Sequence, residues 1–309
     1  MLLNDRRDRI ANFDAGTRSP AGGLKNWLKK FPPIVKIKRR IWARFDPANG
    51  TTTLNVLSTF PLYAPYSAGR YKDRAALTLQ TINQVFPFLC ALSERLNGRL
   101  TEVEDIADIP KTEQEKQAVS RLKERLDFYG SDKANSHNYH HLYGSILSDR
   151  HKVQNVFEIG LGTNNVDVVS NMGAAGRPGA SLRAFRDFCP NANIFGADVD
   201  KRILFKEERI ETHFVDQTDL STFERLVSSV PSGSFDLVID DGLHSPNANI
   251  AALCFGLEIV RKDGWVVVED INRDALDFWQ VVAALLPSRY RSKLYSAEGA
   301  IVFAVQRLD

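Results

Sequence analysis

Two short acidic stretches contain the residue types best suited to chemistry. The stretch Asp240–His244 reads DDGLH, and the pair Glu269-Asp270 comes after it. Each follows an apolar run, FDLVI or GWVVV, that is typical of a buried parallel strand. The carboxyl ends of neighbouring parallel strands meet at one edge of a sheet, where ligands bind. We therefore expect carboxylates and an imidazole to lie together there, a set suited to a divalent metal and to removing a proton from a hydroxyl.

Strand geometry selects between the acids of each pair. Successive strand residues point to opposite faces, so one acid of each pair should reach a metal. We predict Asp241 and Asp270 as the metal ligands and keep Glu269 as a further candidate. Oxygen ligands favour Mg²⁺ or Mn²⁺ over zinc. His244 is the predicted general base, with Asp240 or a neighbour orienting it, although a lone histidine is more often structural.

A glycine turn follows the first strand of this half of the chain. The stretch Glu158–Thr163 reads EIGLGT, in which the glycines let the backbone approach a ligand closely. A carboxylate before them suits the ammonium or ribose of an adenosyl ligand. Acids also follow the next two strands. The predicted cofactor-binding residues are Glu158, Gly160, Gly162, Thr163, Asp198, Asp216, Gln217, Asp240 and Asp132.

Two features near this turn have alternative interpretations. Asp198 is predicted to accept hydrogen bonds from ribose hydroxyls; otherwise it caps the following helix, a role for which Asp200 is the better candidate. The glycine-rich segment 163–180 is far longer than an ordinary connection between strand and helix. It is predicted to be a lid over cofactor and substrate; the alternative is a surface insertion.

Strands and helices alternate from about residue 152, which predicts a parallel sheet covered on both faces. Helices are expected to begin at the N-caps Ser181 and Ser221, and a hairpin turning at Glu298-Gly299 ends the pattern. The pattern predicts an α/β fold, and with such a hairpin it resembles the Rossmann-like class I methyltransferases. The resemblance implies a seven-stranded sheet with an antiparallel terminal strand, and a small N-terminal α+β domain precedes it. The predicted strands are VQNVFEIGLG, NIFGADVD, IETHFVDQ, FDLVIDDG, GWVVVEDI, YRSKLYSA and GAIVFAVQRL.

The predicted domains are an auxiliary domain at 1–110, a linker helix with a cofactor-covering segment at 111–150, and the methyltransferase domain at 151–309. The first contains a β-prone piece at 51–60 and a helix from about Asp73 to Leu96. In the second, His137–His141 either folds over an adenosyl group or forms a solvated helix start.

The net charge of +2 conceals a basic stretch, since residues 15–45 contain nine Lys or Arg and no acid. Residues 18–44 are interpreted as a contact with an anionic membrane surface or an acidic glycan, or else as a solvated basic face. No nucleic-acid partner is expected, because no binding module accompanies the charge. The first residues lack an apolar core, so we predict no secretory signal and a cytoplasmic protein, with location at the inner membrane face as the variant.

The order of motifs carries a family resemblance. GSDK, HxY, EIGLGTN, PGASLRAFRDFCPNANIFGADVD, DQTD, FDLVIDDGLHS and GWVVVED resemble the metal-dependent sugar O-methyltransferases of macrolide biosynthesis, the mycinamicin and tylosin type, over about 128–271. The resemblance implies S-adenosylmethionine, a Mg²⁺-bound sugar diol, Asp241 and Asp270 as ligands and His244 as base. It also implies a third metal carboxylate, for which Glu158 is the candidate, and an N-terminal domain used in assembly of a homo-oligomer.

The expected function is therefore S-adenosylmethionine-dependent O-methylation of a sugar hydroxyl on a glycoside or glycoconjugate. One alternative is a catechol-type O-methyltransferase with an aromatic acceptor. Another is a binding protein that keeps the fold without catalysis. An NAD dehydrogenase is disfavoured, because Asn165 stands where the third glycine of GxGxxG is required.

Overall fold

The computed structural model describes residues 71–97 and 100–309. The predicted β-prone piece at 51–60 and the basic stretch at 15–45 lie outside the described residues. The boundary between two units of the chain lies between Phe88 and Leu89. The predicted helix at about 73–96 is confirmed as α1, Tyr71–Asn97.

A nine-stranded sheet forms the centre of the second unit. Its spatial order is β1-β8-β9-β7-β6-β2-β3-β5-β4. The strands are β1 Val103–Asp105, β2 Asn155–Ile159, β3 Asn193–Asp198, β4 Lys206–Glu207, β5 Ile210–Phe214, β6 Phe235–Asp240, β7 Val260–Ile271, β8 Tyr290–Ser296 and β9 Ile301–Arg307.

The strand order confirms the predicted class I methyltransferase sheet. Strands β5, β3, β2, β6 and β7 pair in parallel, and β9 inserts antiparallel between β7 and β8. Two short strands were not predicted: β4 pairs antiparallel with β5, and β1 pairs parallel with β8. Because β1 lies within 1–110, this part of the predicted auxiliary domain belongs to the methyltransferase sheet.

Helices cover both faces of the sheet and enclose two apolar cores. One core includes Leu122, Leu142 and Phe185, which belong to helices that precede or follow β2 in the sequence. The other includes Phe255 and Trp279, from helices in the C-terminal part. The helices are α2 Glu113–Tyr129, α3 Asp132–Asn135, α4 His140–Ile146, α5 Ala180–Phe188, α6 Leu220–Ser229, α7 Pro246–Ile259 and α8 Leu276–Leu285.

Helix starts differ from the predicted ones at two serines. Helix α5 follows Gly179 in a left-handed conformation with φ 73°, and Ser181 in its first turn is not the cap. Helix α6 is capped by Asp219, whose side chain accepts a hydrogen bond from the Ser221 backbone N–H at 3.0 Å. The two serine predictions are wrong, because in each case the N-cap is a residue two positions further upstream. Asp200 caps a short 3₁₀ turn at Lys201–Ile203, as predicted.

Within residues 71–97 and 100–309, we find no helix with the length and apolar composition that crossing a membrane requires.

Candidate active site

A cavity of about 420 Å³ opens where β2, β3, β5, β6 and β7 end. Its volume lies in the range of small-molecule sites. The glycine turn forms one wall. Gly160 has φ 92°, and a side chain there would place its Cβ 1.9 Å from the Asp241 carbonyl oxygen. Glycine is therefore required where β2 passes close to the end of β6.

Most predicted cofactor residues line this cavity, and two do not. The lining ones are Asp132, Gly160, Gly162, Thr163, Asp198, Asp216 and Gln217. Glu158 and Asp240 are buried behind the wall with 0% and 2% of their surface exposed. The structure therefore does not favour contact between a cofactor and either side chain. Each side chain already has hydrogen-bond partners of its own.

Asp198 fastens the glycine turn to the end of β3. Its carboxylate accepts hydrogen bonds from the backbone N–H of Leu161 at 2.7 Å and of Asp200 at 2.8 Å. Burial raises the pKa of this carboxyl, although these backbone hydrogen bonds oppose the shift. Asp198 still faces the cavity, so its contact with a ribose stays a prediction.

Asp240 orders the residues around it rather than His244. One oxygen accepts from Gln217 Nε2 at 2.7 Å and the other from Asn249 Nδ2 at 2.8 Å. Burial raises the pKa of Asp240 to about 6. Gln217 Oε1 in turn accepts from the Leu243 backbone N–H at 2.8 Å. Asp240 therefore shapes the DGLH loop through Gln217, and the predicted hydrogen bond that would orient His244 from Asp240 is not formed.

Asp241, His244 and Asp270 converge at one side of the cavity. One candidate ligand atom from each residue lies within 4.8 Å of the others. His244 Nε2 is 3.9 Å from Asp241 Oδ1 and 3.8 Å from Asp270 Oδ2. Both His244 and Asp270 have positive φ, 56° and 53°, a conformation that costs non-glycine residues free energy and is concentrated at functional sites. Two oxygens and one imidazole nitrogen fit a divalent cation.

Glu269 and Glu158 lie outside this cluster. Glu269 is fully buried, with Lys133 Nζ donating to one oxygen and the Tyr143 hydroxyl to the other. Glu158 accepts from Ser181 Oγ at 2.6 Å and lies 3.1 Å from Lys133 Nζ. The structure therefore does not favour either glutamate as a metal ligand. Glu269 is buried although the adjacent Asp270 lines the cavity, and Asp240 and Asp241 differ in the same way.

The segment 131–146, called here the segment before the sheet because it precedes β2, contributes functional residues that sequence reasoning missed. It was expected to cover an adenosyl group or to form a solvated helix start, yet Lys133, Tyr139 and Tyr143 hydrogen-bond the acids at the strand ends. Tyr139 is the N-cap of α4, and its four-residue spacing from Tyr143 was a signal that both side chains share one face of the helix. Nothing in the local pattern showed that this face meets β7.

His140 and His141 are not at a solvated helix start. His140 is 6% exposed, and its ring centroid lies 4.3 Å from that of His141. Burial lowers the pKa of His140 to about 4, and the His141 ring adds to the effect. These two histidines are packing residues of α4, on a different face from the acid cluster's partners.

The long segment after the glycine turn lies along the cavity. Asp167, Ser170 and Met172 are among its lining residues. The segment is tied to the end of β3, because Arg202 pairs with Asp167 at 2.9 Å and Thr163 Oγ1 donates to Asp200 at 2.7 Å. This position is where a lid would have to be. Its closing over a ligand stays a prediction.

Comparison with known proteins gives partial matches. No family model matches the chain. A tetracenomycin-C rhamnosyl 3'-O-methyltransferase of Streptomyces olivaceus is 32% identical over 123 residues, which are 40% of this chain and 29% of that protein. Mycinamicin VI 2''-O-methyltransferase of Micromonospora griseorubida is 37% identical over 94 residues, 30% of this chain and 23% of that protein. The resemblance predicted from the motifs is confirmed.

The match leaves most of those relatives' length uncovered, since the chain aligns with under a third of each of these two proteins. Among solved structures, the MycE methyltransferase of the mycinamycin pathway in complex with Mg, SAH and mycinamycin VI is 24% identical. The superposed part is 60% of this chain and 53% of the MycE chain, with a TM-score of 0.48.

Proposed function

We propose that the chain is an S-adenosylmethionine-dependent O-methyltransferase acting on a sugar hydroxyl of a glycoside or glycoconjugate, with a divalent metal. The observation that carries the proposal is the convergence of Asp241, His244 and Asp270 beside a cavity walled by the glycine turn. An aliphatic hydroxyl hardly ionises at neutral pH. It therefore needs a base and a positive charge at the site of attack.

The methyl donor is assigned to the cavity of the glycine turn. Asp198 and Asp216 present carboxylates at the ends of β3 and β5, where hydroxyl and amino groups of an adenosyl ligand would be bound. Gly160 and Gly162 let the backbone come close to the ligand. The same turn would hold the reactive sulfonium near the acid cluster, because Asp241 and His244 line the same cavity.

Asp241 and Asp270 are the proposed metal ligands. A bound divalent cation lowers the pKa of a hydroxyl and stabilises the alkoxide that forms from it. Both carboxylates are partly exposed to the cavity, so their free oxygens are accessible from it. Their side chains would also orient the sugar by accepting hydrogen bonds from its neighbouring hydroxyl.

His244 is the proposed general base. Its Nε2 faces both acids, and within the described part of the chain its Nδ1 is buried without a hydrogen-bond partner. Nε2 accepts the hydroxyl proton while the oxygen attacks the methyl carbon. Bound S-adenosylmethionine would supply the methyl group to this oxygen and leave as S-adenosylhomocysteine. Most of the rate should come from alignment and electrostatics.

A transfer assay tests the proposal. The protein is incubated with labelled S-adenosylmethionine and a panel of deoxysugar glycosides or catechols, in Mg²⁺ or in EDTA. We expect label on a glycoside in Mg²⁺, loss of transfer in EDTA and recovery when Mg²⁺ returns. Transfer that survives EDTA would contradict the metal, and transfer to catechols alone would contradict the sugar acceptor.

Titrations with S-adenosylhomocysteine and with NAD provide the control for the fold. Binding of the former without transfer to any acceptor would indicate a non-catalytic protein. The predicted homo-oligomer, the cytoplasmic location and the membrane contact of residues 18–44 stay predictions.

A further inference from the structure

Three hydrogen-bond donors reach the acids from one segment of the chain. Lys133 Nζ donates to Asp241 Oδ2 at 2.6 Å, and the Tyr139 hydroxyl donates to Asp270 Oδ1 at 2.5 Å. The Tyr143 hydroxyl donates to the buried Glu269. This segment therefore bonds both acids of the proposed metal site and one acid outside it.

The two acids of the proposed metal site are bonded in the same way. In Asp241, Oδ2 is taken by Lys133, and Oδ1 lies 3.9 Å from His244 Nε2. In Asp270, Oδ1 is taken by Tyr139, and Oδ2 lies 3.8 Å from the same nitrogen. Each carboxylate thus has one oxygen held from behind and one oxygen facing the imidazole.

Both donors are held firmly in place. Lys133 and Tyr139 expose 2% and 1% of their surfaces. Lys133 also pairs with Glu269 and Glu158. Moving its ammonium away would leave these buried carboxylates unpaired, which costs free energy. The Tyr139 ring stacks on His137, with centroids 5.1 Å apart and planes at 15°. A fixed donor fixes the rotation of the carboxylate that it bonds.

We propose that Lys133 and Tyr139 are positioning residues that leave Asp241 and Asp270 one ligand oxygen each. They make the two acids a matched monodentate pair for the cation. Hydrogen bonds to ligating carboxylates set ligand orientation, and their loss typically lowers metal affinity about 10- to 100-fold. The inference rests on the metal site of the proposed function and adds the residues that define its ligand atoms.

The test uses Tyr139→Phe, which removes one hydroxyl and keeps the ring. Its matched control is Tyr143→Phe, in which an equally buried tyrosine loses its bond to Glu269, outside the cluster. Mn²⁺ alone is titrated into each full-length protein without donor or acceptor, and free Mn²⁺ is measured by electron paramagnetic resonance. Melting temperatures of both variants check that they are folded.

We expect Tyr139→Phe to bind Mn²⁺ at least about 10-fold more weakly than the wild type, with an altered spectrum of the bound ion, because Asp270 Oδ1 is released. Tyr143→Phe should stay close to the wild type. Unchanged affinity in Tyr139→Phe, or an equal loss in Tyr143→Phe, overturns the inference but leaves the metal site. A wild-type protein that binds no Mn²⁺ overturns the metal site and the inference together.

Discussion

The acids at the ends of β6 and β7 fall into two groups by burial, a buried layer and a cavity layer. The buried layer consists of Asp240 and Glu269, and the cavity layer of Asp241 and Asp270. In the buried layer both carboxylates have a donor on each oxygen. In the cavity layer each carboxylate has one oxygen bonded by the segment before the sheet. In each pair of adjacent residues, one acid is fully hydrogen-bonded in the interior and the next one lines the cavity.

Within the buried layer, Glu269 is paired with a buried cation, Lys133, whereas Asp240 is bonded by two neutral amides. Burial by itself lowers the pKa of Lys133, but the charges of Asp241, Glu269 and Glu158 outweigh that effect and raise the pKa well above its ordinary value. Lys133 therefore remains protonated. It links the two layers, since it bonds Asp241 in one and Glu269 in the other.

The largest expected effect tests the chemistry of the cavity layer. His244→Ala should lower turnover by about 10²- to 10⁴-fold, because the variant has no side chain to accept the hydroxyl proton. Steady-state methyl transfer measures this loss. The affinity for S-adenosylhomocysteine, measured by titration, should change little.

Two outcomes for His244→Ala would alter the comparison. Loss of S-adenosylhomocysteine binding would remove His244 from the role of base and assign it to the donor cavity. Loss of Mn²⁺ binding with donor binding intact would make His244 a metal ligand, which its 3.8 Å and 3.9 Å distances to the acids also fit.

Much of this arrangement is predictable from local sequence. Alternating strands and helices gave the sheet, and the terminal hairpin gave its antiparallel strand. The two-residue period of a strand predicts that one acid of each pair faces the cavity. These features depend on neighbours in the chain, so a local pattern contains them. It does not contain the left-handed backbone of Asp270, since the register of β6 and β7 aligns Asp241 with Glu269.

The partners of the acids are not predictable in this way. Lys133 lies 108 residues before Asp241 and 136 before Glu269, and no local period connects them. Ser181 shows the same limit: it stands where an N-cap is favoured, but a tertiary contact with Glu158 gives its hydroxyl another role. Which distant group satisfies a buried polar atom is decided only by packing.

The second prediction tests the buried layer. Lys133→Met should lower the free energy of unfolding by about 3–5 kcal/mol, because it leaves buried carboxylates without their cation. Urea denaturation measures the change. Lys123→Met is the matched control. Lys123 is half-exposed and pairs with Asp127 at 2.7 Å, so its loss should cost at most about 1 kcal/mol. A similar small loss in both variants would mean that the buried layer does not depend on its cation.

A buried basic group without such acids shows what the layer provides. His140 is on the same segment as Lys133, but the charged groups near it are Lys123, Asp127 and the His141 ring. Burial is the main cause that lowers its pKa to about 4. Lys133 therefore stays charged and His140 stays neutral, although both are buried.

The smallest effect follows from this contrast. Because the unfolded chain protonates His140 near the ordinary pKa of 6.5 and the folded chain only near 4, its contribution to stability is complete above pH 6.5 and declines as the pH falls towards 4. His140→Gln should reduce the slope of unfolding free energy against pH in that window. The reduction corresponds to the uptake of about one proton at most on unfolding. Denaturation series at several pH values measure the slope, with exposed His151→Gln as control. An unchanged slope in His140→Gln would show that His140 already accepts a proton while folded, and that burial alone does not keep a basic group on this segment neutral.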